Sequence, residues 1–389
     1  MKTHIHHIET LLPKYSYRQD YARDRMVGWL PGKRNRRLIH GIYDHSDIET
    51  RYSVLPDFGP NADPVLFKED ETGRIIEPST GARNRYFREC AGKLVVEAGR
   101  RAIEKAAGFS ASDITHVITV SCTGFYNPGP DLDLIVGLGL SEGTERYNIG
   151  FMGCYAAFPA LRMADQFCQA RPDAVVLVVC LELCSLHLQF REEADSLLAN
   201  SLFADGAAAV LVSARKPASD RPALAIESFA SALAPEGADE MAWEIGDHGF
   251  DIRLSTYVPN IIAGNIGKII ENILLPTPWN RNDIGTWAVH PGGRSILDRV
   301  ETELQLEPGQ LDDSRQVLRQ FGNMSSATVL FVLHRILNRA AIDEPQPVCA
   351  MAFGPGLTIE SALLEYQPAR TSMAAQAPQH AMASMLQPQ

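Results

Sequence analysis

With 389 residues, 45% apolar and 21% charged, the chain suits one large α/β unit or two fused domains, and its ordinary composition excludes wholesale disorder, a collagen-like repeat and a membrane bundle. Its 36 Lys and Arg against 47 Asp and Glu give a net charge of −11, which argues against a nucleic-acid binder with a broad basic face. The seven cysteines include no CxxC pair and no Cys/His cluster at zinc spacing, so neither a disulfide framework nor a metal site is expected and a reducing compartment fits.

The opening MKTHIHHIETLLPKYSY lacks a signal-peptide core, and no apolar run reaches the roughly 18 residues of a membrane span, so a cytoplasmic protein is expected. His4, His6 and His7 read as solvated imidazoles. Residues 1–88, rich in Arg, Tyr and His, show weak helical periodicity and are expected to form an appended helical region. Within them the basic run Lys33, Arg34, Arg36 and Arg37 is either a solvated helix face or a docking point for a phosphate-bearing ligand.

From Glu89 onward short β-branched runs alternate with helix-period stretches, the pattern of an α/β protein with buried strands. Strands are expected at His116–Ser121, Ala174–Val179, Ala208–Val212, Thr286–Val289, Val348–Ala352 and Leu357–Leu364. Helices are expected at Glu89–Ala107, Tyr155–Ala170, Val258–Leu274, Gly292–Leu304 and Ser325–Asn338. The polar segment KPASDRP, Lys216–Pro222, reads as a loop between two halves, 89–220 and 221–366. HVITVSC in one half and TWAVHPG in the other each run a buried strand into a turn, which suggests a duplicated core. Residues 367–389, mostly Ala, Gln, Pro and Met, are expected to be disordered.

Three residues carry candidate chemistry. Cys154, in IGFMGCYAAFPAL, lies between a β-like run and a helix expected to begin at Tyr155, where the helix dipole would favour thiolate. Cys90, Cys168, Cys180 and Cys349 look like small buried hydrophobes instead. His290, in TWAVHPGG, leaves a buried strand and is the natural base for a thiol. Asn323, in FGNMSSATVLFVL, is either the N-cap of the following helix or a donor into a site. With no carboxylate or metal ligand in these segments, the set suits acyl-thioester chemistry, an oxyanion or enolate being held by hydrogen bonds. The turn Phe353, Gly354, Pro355 and Gly356 lets backbone approach a ligand or back the nucleophile. No GxGxxG follows a strand and no GxxxxGK[ST] occurs, so nucleotide cofactors receive no support.

Five ordered blocks, FMGCYAAFPALRMA, SLFADGAAAVL, WAVHPGGRSILD, FGNMSSATVLFVL and AFGPGLTIE, resemble those of the type III polyketide synthases, the chalcone and stilbene synthase family of the thiolase superfamily. The resemblance, over about residues 85 to 366, implies a homodimer of thiolase-like, five-layered αβαβα subunits that needs no cofactor or metal. It implies that Cys154 takes a starter acyl group from coenzyme A, and that His290 and Asn323 hold malonyl-coenzyme A during decarboxylation and condensation. Phe203 matches a gatekeeper phenylalanine between the coenzyme A tunnel and the cavity. Ile252 stands where plant members have a second one, and His187 stands for a cavity threonine. The coenzyme A phosphate positions do not align singly with Lys33, Arg34, Arg36 and Arg37. A long or bulky starter is expected because Ile252 is smaller than phenylalanine, with alkylresorcinol, alkylpyrone and phloroglucinol-like products all open and an acyl carrier protein as an alternative starter donor. The rival readings are a β-ketoacyl carrier-protein synthase III making one condensation, and a non-catalytic acyl-chain binding protein. A papain-type protease is disfavoured for want of a C-G-[SA]-C-[WY] block.

Overall fold

A computed structural model of the protein describes residues 1–60, 62–255, 257–339 and 343–369. The chain begins with β1 (His4–Leu11), β2 (Tyr15–Arg18), α1 (Gln19–Trp29), α2 (Lys33–Asp44), β3 (Thr50–Ser53), the short pair β4 (Lys68–Glu69) and β5 (Ile75–Ile76), and α3 (Thr80–Lys105). Next come β6 (His116–Ser121), α4 (Pro130–Leu138), β7 (Glu145–Gly150), α5 (Ala157–Ala170), β8 (Val175–Leu183), α6 (Ala194–Leu202) and β9 (Asp205–Ser213). The second half supplies β10 (Ala223–Leu233), β11 (Met241–Gly246), β12 (Gly249–Leu254), α7 (Val258–Leu274), β13 (Thr286–Val289), α8 (Arg294–Glu303), α9 (Asp312–Phe321), α10 (Thr328–Leu337), β14 (Gln346–Gly354) and β15 (Thr358–Gln367).

Nine strands join in the order β13-β14-β15-β10-β1-β9-β8-β6-β7. Strand alternation divides their side chains between three cores. On β8, Val176, Val178 and Cys180 face a core shared with α5 and α10, while Val175, Leu177 and Val179 face α3 and α4. On β14, Ala350 and Ala352 point to the same α5/α10 core, whereas Cys349, Met351 and Phe353 point to α7 and α8. The resulting order is helices, strands, helices, strands, helices, the five layers expected. β6 and β8 are buried on both faces, which is why both are rich in β-branched and other apolar residues, with their few polar side chains buried as well.

The N-terminal region departs from expectation. It is not wholly helical, because β1 is the strand that pairs with both β9 and β10 and so links the two halves of the sheet. A register shift between Ile5 and His7 puts Ile5 and Ile8 on the same core, a three-residue spacing that imitates a helix. Both isoleucines are fully buried, and Ile8→Ala would cost about 2–5 kcal/mol. The three histidines are therefore not solvated. His4 is buried, the His6 Nε2 lies 2.8 Å from the Ser213 hydroxyl, and His7 Nε2 lies 3.2 Å from Glu9, which also accepts from Lys105 at 2.7 Å. Burial lowers the His6 pKa to about 4. The expected disordered tail falls largely outside the described residues.

Candidate active site

The nucleophile candidate sits on a strained turn. After β7 the chain passes through Phe151 at φ 57° and Gly153 at φ 90°, and only Gly takes the left-handed region without steric cost. Gly153 is also constrained by space, since a Cβ there would come 2.6 Å from Pro355 Cδ. Likewise a Cβ on Gly354 would lie 2.5 Å from the Tyr155 ring and 3.5 Å from the Cys154 nitrogen. The Gly354, Pro355 and Gly356 turn is thus a wedge behind Cys154.

The helix after Cys154 starts at Ala157, two residues later than expected, so Cys154 precedes the first helical turn. Nor does the dipole decide the sulfur's ionisation. Burial pushes the Cys154 thiol up to about 11; hydrogen bonding to Ser325 and Asn323 works the other way, and the Glu182 charge adds to the rise. Thiol, not thiolate, is the form this enclosure favours.

His290 follows β13, its backbone N–H donating to the Met351 carbonyl at 2.8 Å. Its ring is 1% exposed, and neither ring nitrogen has a hydrogen-bond partner among the described residues. Burial drives its pKa down to about 3, so the imidazole is neutral. Asn323 is oriented by its own loop. Its Oδ1 accepts from Ser325 N–H at 2.8 Å, and its Nδ2 donates to the Gly292 carbonyl at 3.3 Å, which leaves one amide proton for the site. Asn323 is not the N-cap of the following helix, which begins at Thr328 after Ala327; its Oδ1 instead closes a local turn onto Ser325 N–H, and its amide nitrogen keeps the donor role. Gly292 ties the two residues together, because a Cβ on it would stand 3.6 Å from the His290 ring. Asn323 and His290 are thereby linked through this one glycine.

Sequence reasoning missed the floor beneath them. Glu182, fully buried at the end of β8, accepts from Cys122 N–H at 2.9 Å, from the Thr123 hydroxyl at 2.9 Å and from the Ser326 hydroxyl. Burial raises its pKa to about 7, those hydrogen bonds opposing the rise. The only signal in the sequence is a lone acid inside the apolar run VVLVVCLEL.

Two cavities lie near this centre, neither of them lined by Cys154, His290 or Asn323 themselves. An outer cleft is lined by Ile42 of α2 and His45 just past its end, Leu254 and Val258, and Gly292 and Arg294 near His290. An inner chamber lies beneath α1 and is lined by Phe203, Ile252 and His187, the three residues expected around a substrate. The end of α6 and β12 form the partition between them: Leu202 and Leu254 face the cleft, Phe203 and Ile252 the chamber. Asn323 is bonded to this partition, its N–H donating to the Leu202 carbonyl at 2.9 Å and its carbonyl accepting from Ala204 N–H at 2.8 Å. Lys33, Arg34, Arg36 and Arg37 stand exposed on α2, away from the cleft lining, and Asn35, Ile39 and Tyr43 form its buried face. Arg294, to which no sequence pattern pointed, is the cation in the cleft; it contacts Asp47 and Asp298. Gly354, Pro355 and Gly356 line neither cavity.

The family model described as the N-terminal domain of chalcone and stilbene synthases matches residues 8–216, and that of their C-terminal domain matches residues 225–368. A Mycobacterium tuberculosis protein named alpha-pyrone synthesis polyketide synthase-like Pks18 is 31% identical over 367 residues, covering 93% of this chain and 90% of its own length. Polyketide synthase 37 of Dictyostelium discoideum is 33% identical over 372 residues, 94% of this chain; the chain spans 12% of that protein's length and 10% of that of probable polyketide synthase 1 from the same organism. The crystal structure of PKS-I from the brown alga Ectocarpus siliculosus superposes with a TM-score of 0.87 at 33% identity, over 93% of this chain and 98% of that one.

Proposed function

The chain belongs to the chalcone and stilbene synthase family, with the thiolase-like fold of its structural neighbours, and on that premise we propose that it is a type III polyketide synthase acting on acyl- and malonyl-coenzyme A. His290 takes the Cys154 proton as the sulfur attacks the starter thioester. The carbonyl–sulfur bond to coenzyme A breaks, and its thiolate leaves with a proton while the acyl group stays on Cys154. Malonyl-coenzyme A then loses CO2. The enolate oxygen is held by the free Asn323 amide proton and a ring N–H of His290. The enolate carbon attacks the acyl-Cys154 carbonyl; a carbon–carbon bond forms, the bond to sulfur breaks, and the extended chain returns for another cycle or closes into a ring.

The observation that carries the reading is the Asn323 amide: Oδ1 is pinned by Ser325, so the amide nitrogen is turned away from that loop and reaches the Gly292 carbonyl, two residues from His290, with one proton still free. Burial supports it further, because donors in a dry site stabilise developing charge far better than donors in water. The two cavities support a route for the two ends of the substrate, since Gly292 near His290 lines one and Phe203, bridged to Asn323, lines the other. The coenzyme A moiety occupies the cleft with Arg294, the acyl end passes Phe203 and Ile252 into the chamber, and a long or bulky starter is the class this favours. No cofactor or metal takes part in this scheme, and the working unit is a homodimer in the cytoplasm. Among the described residues no helix is long and apolar enough to cross a membrane. Incubation with acyl- and malonyl-coenzyme A should release CO2 and give products longer than the starter by whole two-carbon units. Acyl transfer without any carbon–carbon bond formation would refute the assignment.

A further inference from the structure

The inner chamber is a site with unmet polar demands in its wall. Six aromatic side chains wall it, Tyr17, Trp29, Tyr43, Tyr52, Phe58 and Phe203, and four of the six come from the first 52 residues. On α1, Ala22, Arg25, Met26 and Trp29 repeat at the three- and four-residue spacing that lines one helix face, and that face is the chamber roof. Several polar groups in the wall are already engaged. The Ser185 hydroxyl donates to Asp205 at 2.6 Å, the Asn200 amide to the Gln189 carbonyl at 2.6 Å, and Arg51 to Gln19 Oε1 at 2.9 Å and the Phe203 carbonyl at 2.9 Å.

Three buried lining atoms are not engaged by any of the described residues, Arg25 Nε, Tyr43 Oη and His187 Nδ1, and of these only the His187 nitrogen can be an acceptor and nothing else. His187 is 8% exposed and lies flat against Phe250, ring centroids 3.8 Å apart. Its Nε2 is 2.7 Å from the Thr123 carbonyl oxygen, and a carbonyl can only accept, so Nε2 carries the proton. Burial keeps the ring neutral, with a pKa of about 4. Nδ1 is then a bare acceptor, buried and without a donor among the described residues. Leaving such an atom unpaired is costly, and a ligand hydroxyl would satisfy it.

We propose that the chamber under α1 receives the distal part of a long acyl starter bearing a hydroxyl group, which donates to His187 Nδ1 while the rest of the chain lies against the aromatic wall. The inference rests on the reading of Cys154 as acyl acceptor and adds the substrate class and its specificity residue. It also accounts for the chamber face of α1, where the small residue Ala22 leaves the space that the chain end fills.

The test compares decanoyl-coenzyme A with its β-hydroxy, mid-chain hydroxy and ω-hydroxy derivatives as starters, with acetyl-coenzyme A as the short reference. At least one hydroxylated isomer should exceed decanoyl about tenfold in kcat/KM. His187→Phe keeps a flat ring against Phe250 but removes the acceptor, and should bring that ratio to near one. His187→Asn, which can place an oxygen near the old Nδ1 position, should retain part of the preference. Ala22→Trp should lower kcat/KM for all decanoyl-length starters at least tenfold more than for acetyl, which covers the case in which His187→Phe fails to fold. Equal use of decanoyl and every hydroxylated isomer by the native enzyme, or a preference unchanged in His187→Phe, overturns the proposal. Cys154 that takes up no acyl group from any of these thioesters contradicts the functional reading itself, whereas normal loading with a flat preference contradicts this inference alone.

Discussion

The outer cleft and the inner chamber are neighbours built from opposite materials. The cleft is roomy and open, with glycines at 292 and 293 and the ion-paired Arg294 at its edge; the chamber is smaller and aromatic. What separates them is thin, the end of α6 and one hairpin strand, and the catalytic candidates are anchored to that partition through Asn323. The contrast teaches that, on the proposed function, a polar carrier would suit one side of the partition and an acyl chain the other.

Damage at the junction should outweigh damage in either cavity. Asn323→Ala should reduce condensation by roughly 10²–10³-fold, about 2.7–4 kcal/mol, while sparing acylation of Cys154; His290→Ala should impair both steps. Single-turnover loading and steady-state product formation, measured side by side, separate the two, and equal loss of loading in both variants would break the division of labour.

Next in size is the partition itself. Ile252→Phe narrows the passage, so the ratio of kcat/KM for long over short starters should fall about tenfold, each buried CH2 being worth about 0.8 kcal/mol. If Ile252 only fills space, the phenyl ring will overpack the hairpin, lower the melting temperature by the equivalent of about 1–3 kcal/mol, and leave that ratio alone.

A smaller effect tests the electrostatics. With the Cys154 thiol near 11 and His290 near 3, the free enzyme holds a neutral pair. Alkylation of Cys154 by iodoacetamide should therefore climb steadily from pH 6 to pH 10; a rate already flat from pH 6 would reveal a preformed thiolate–imidazolium pair. Smallest is the floor. Burial raises the Glu182 pKa from 4.5 to about 7, so the folded state holds its proton more tightly than the unfolded chain does. The contribution to stability is full below about pH 4.5 and is lost as the pH rises through 7. Melting temperatures of Glu182→Gln relative to the native protein should improve between pH 5 and pH 8, and a constant difference would contradict the assignment.

The legible parts of this molecule are those whose physics is local. β6 was visible in full because both its faces are buried, and Cys154, His290 and Asn323 each stand where an element begins or ends. β1 was hidden by its own register shift, since Ile5 and Ile8 on one core counterfeit helical spacing. β7 was absorbed into the Cys154 segment because its side chains are exposed or half-buried and polar. The Glu182 network draws on the segments around 122, 182 and 326, which only the fold brings together. The ionisation of Cys154 was misjudged for the same reason: proximity to a helix start is written in the sequence, but the burial that outweighs it is not.

The most direct test of the mechanism is to locate the acyl group. After brief incubation with acyl-coenzyme A alone, peptide mass mapping should find the acyl mass on the peptide carrying Cys154, absent in Cys154→Ala, and none on Cys122 or Cys184. An adduct on either of those neighbours, or continued formation of extended product by Cys154→Ala, would contradict it.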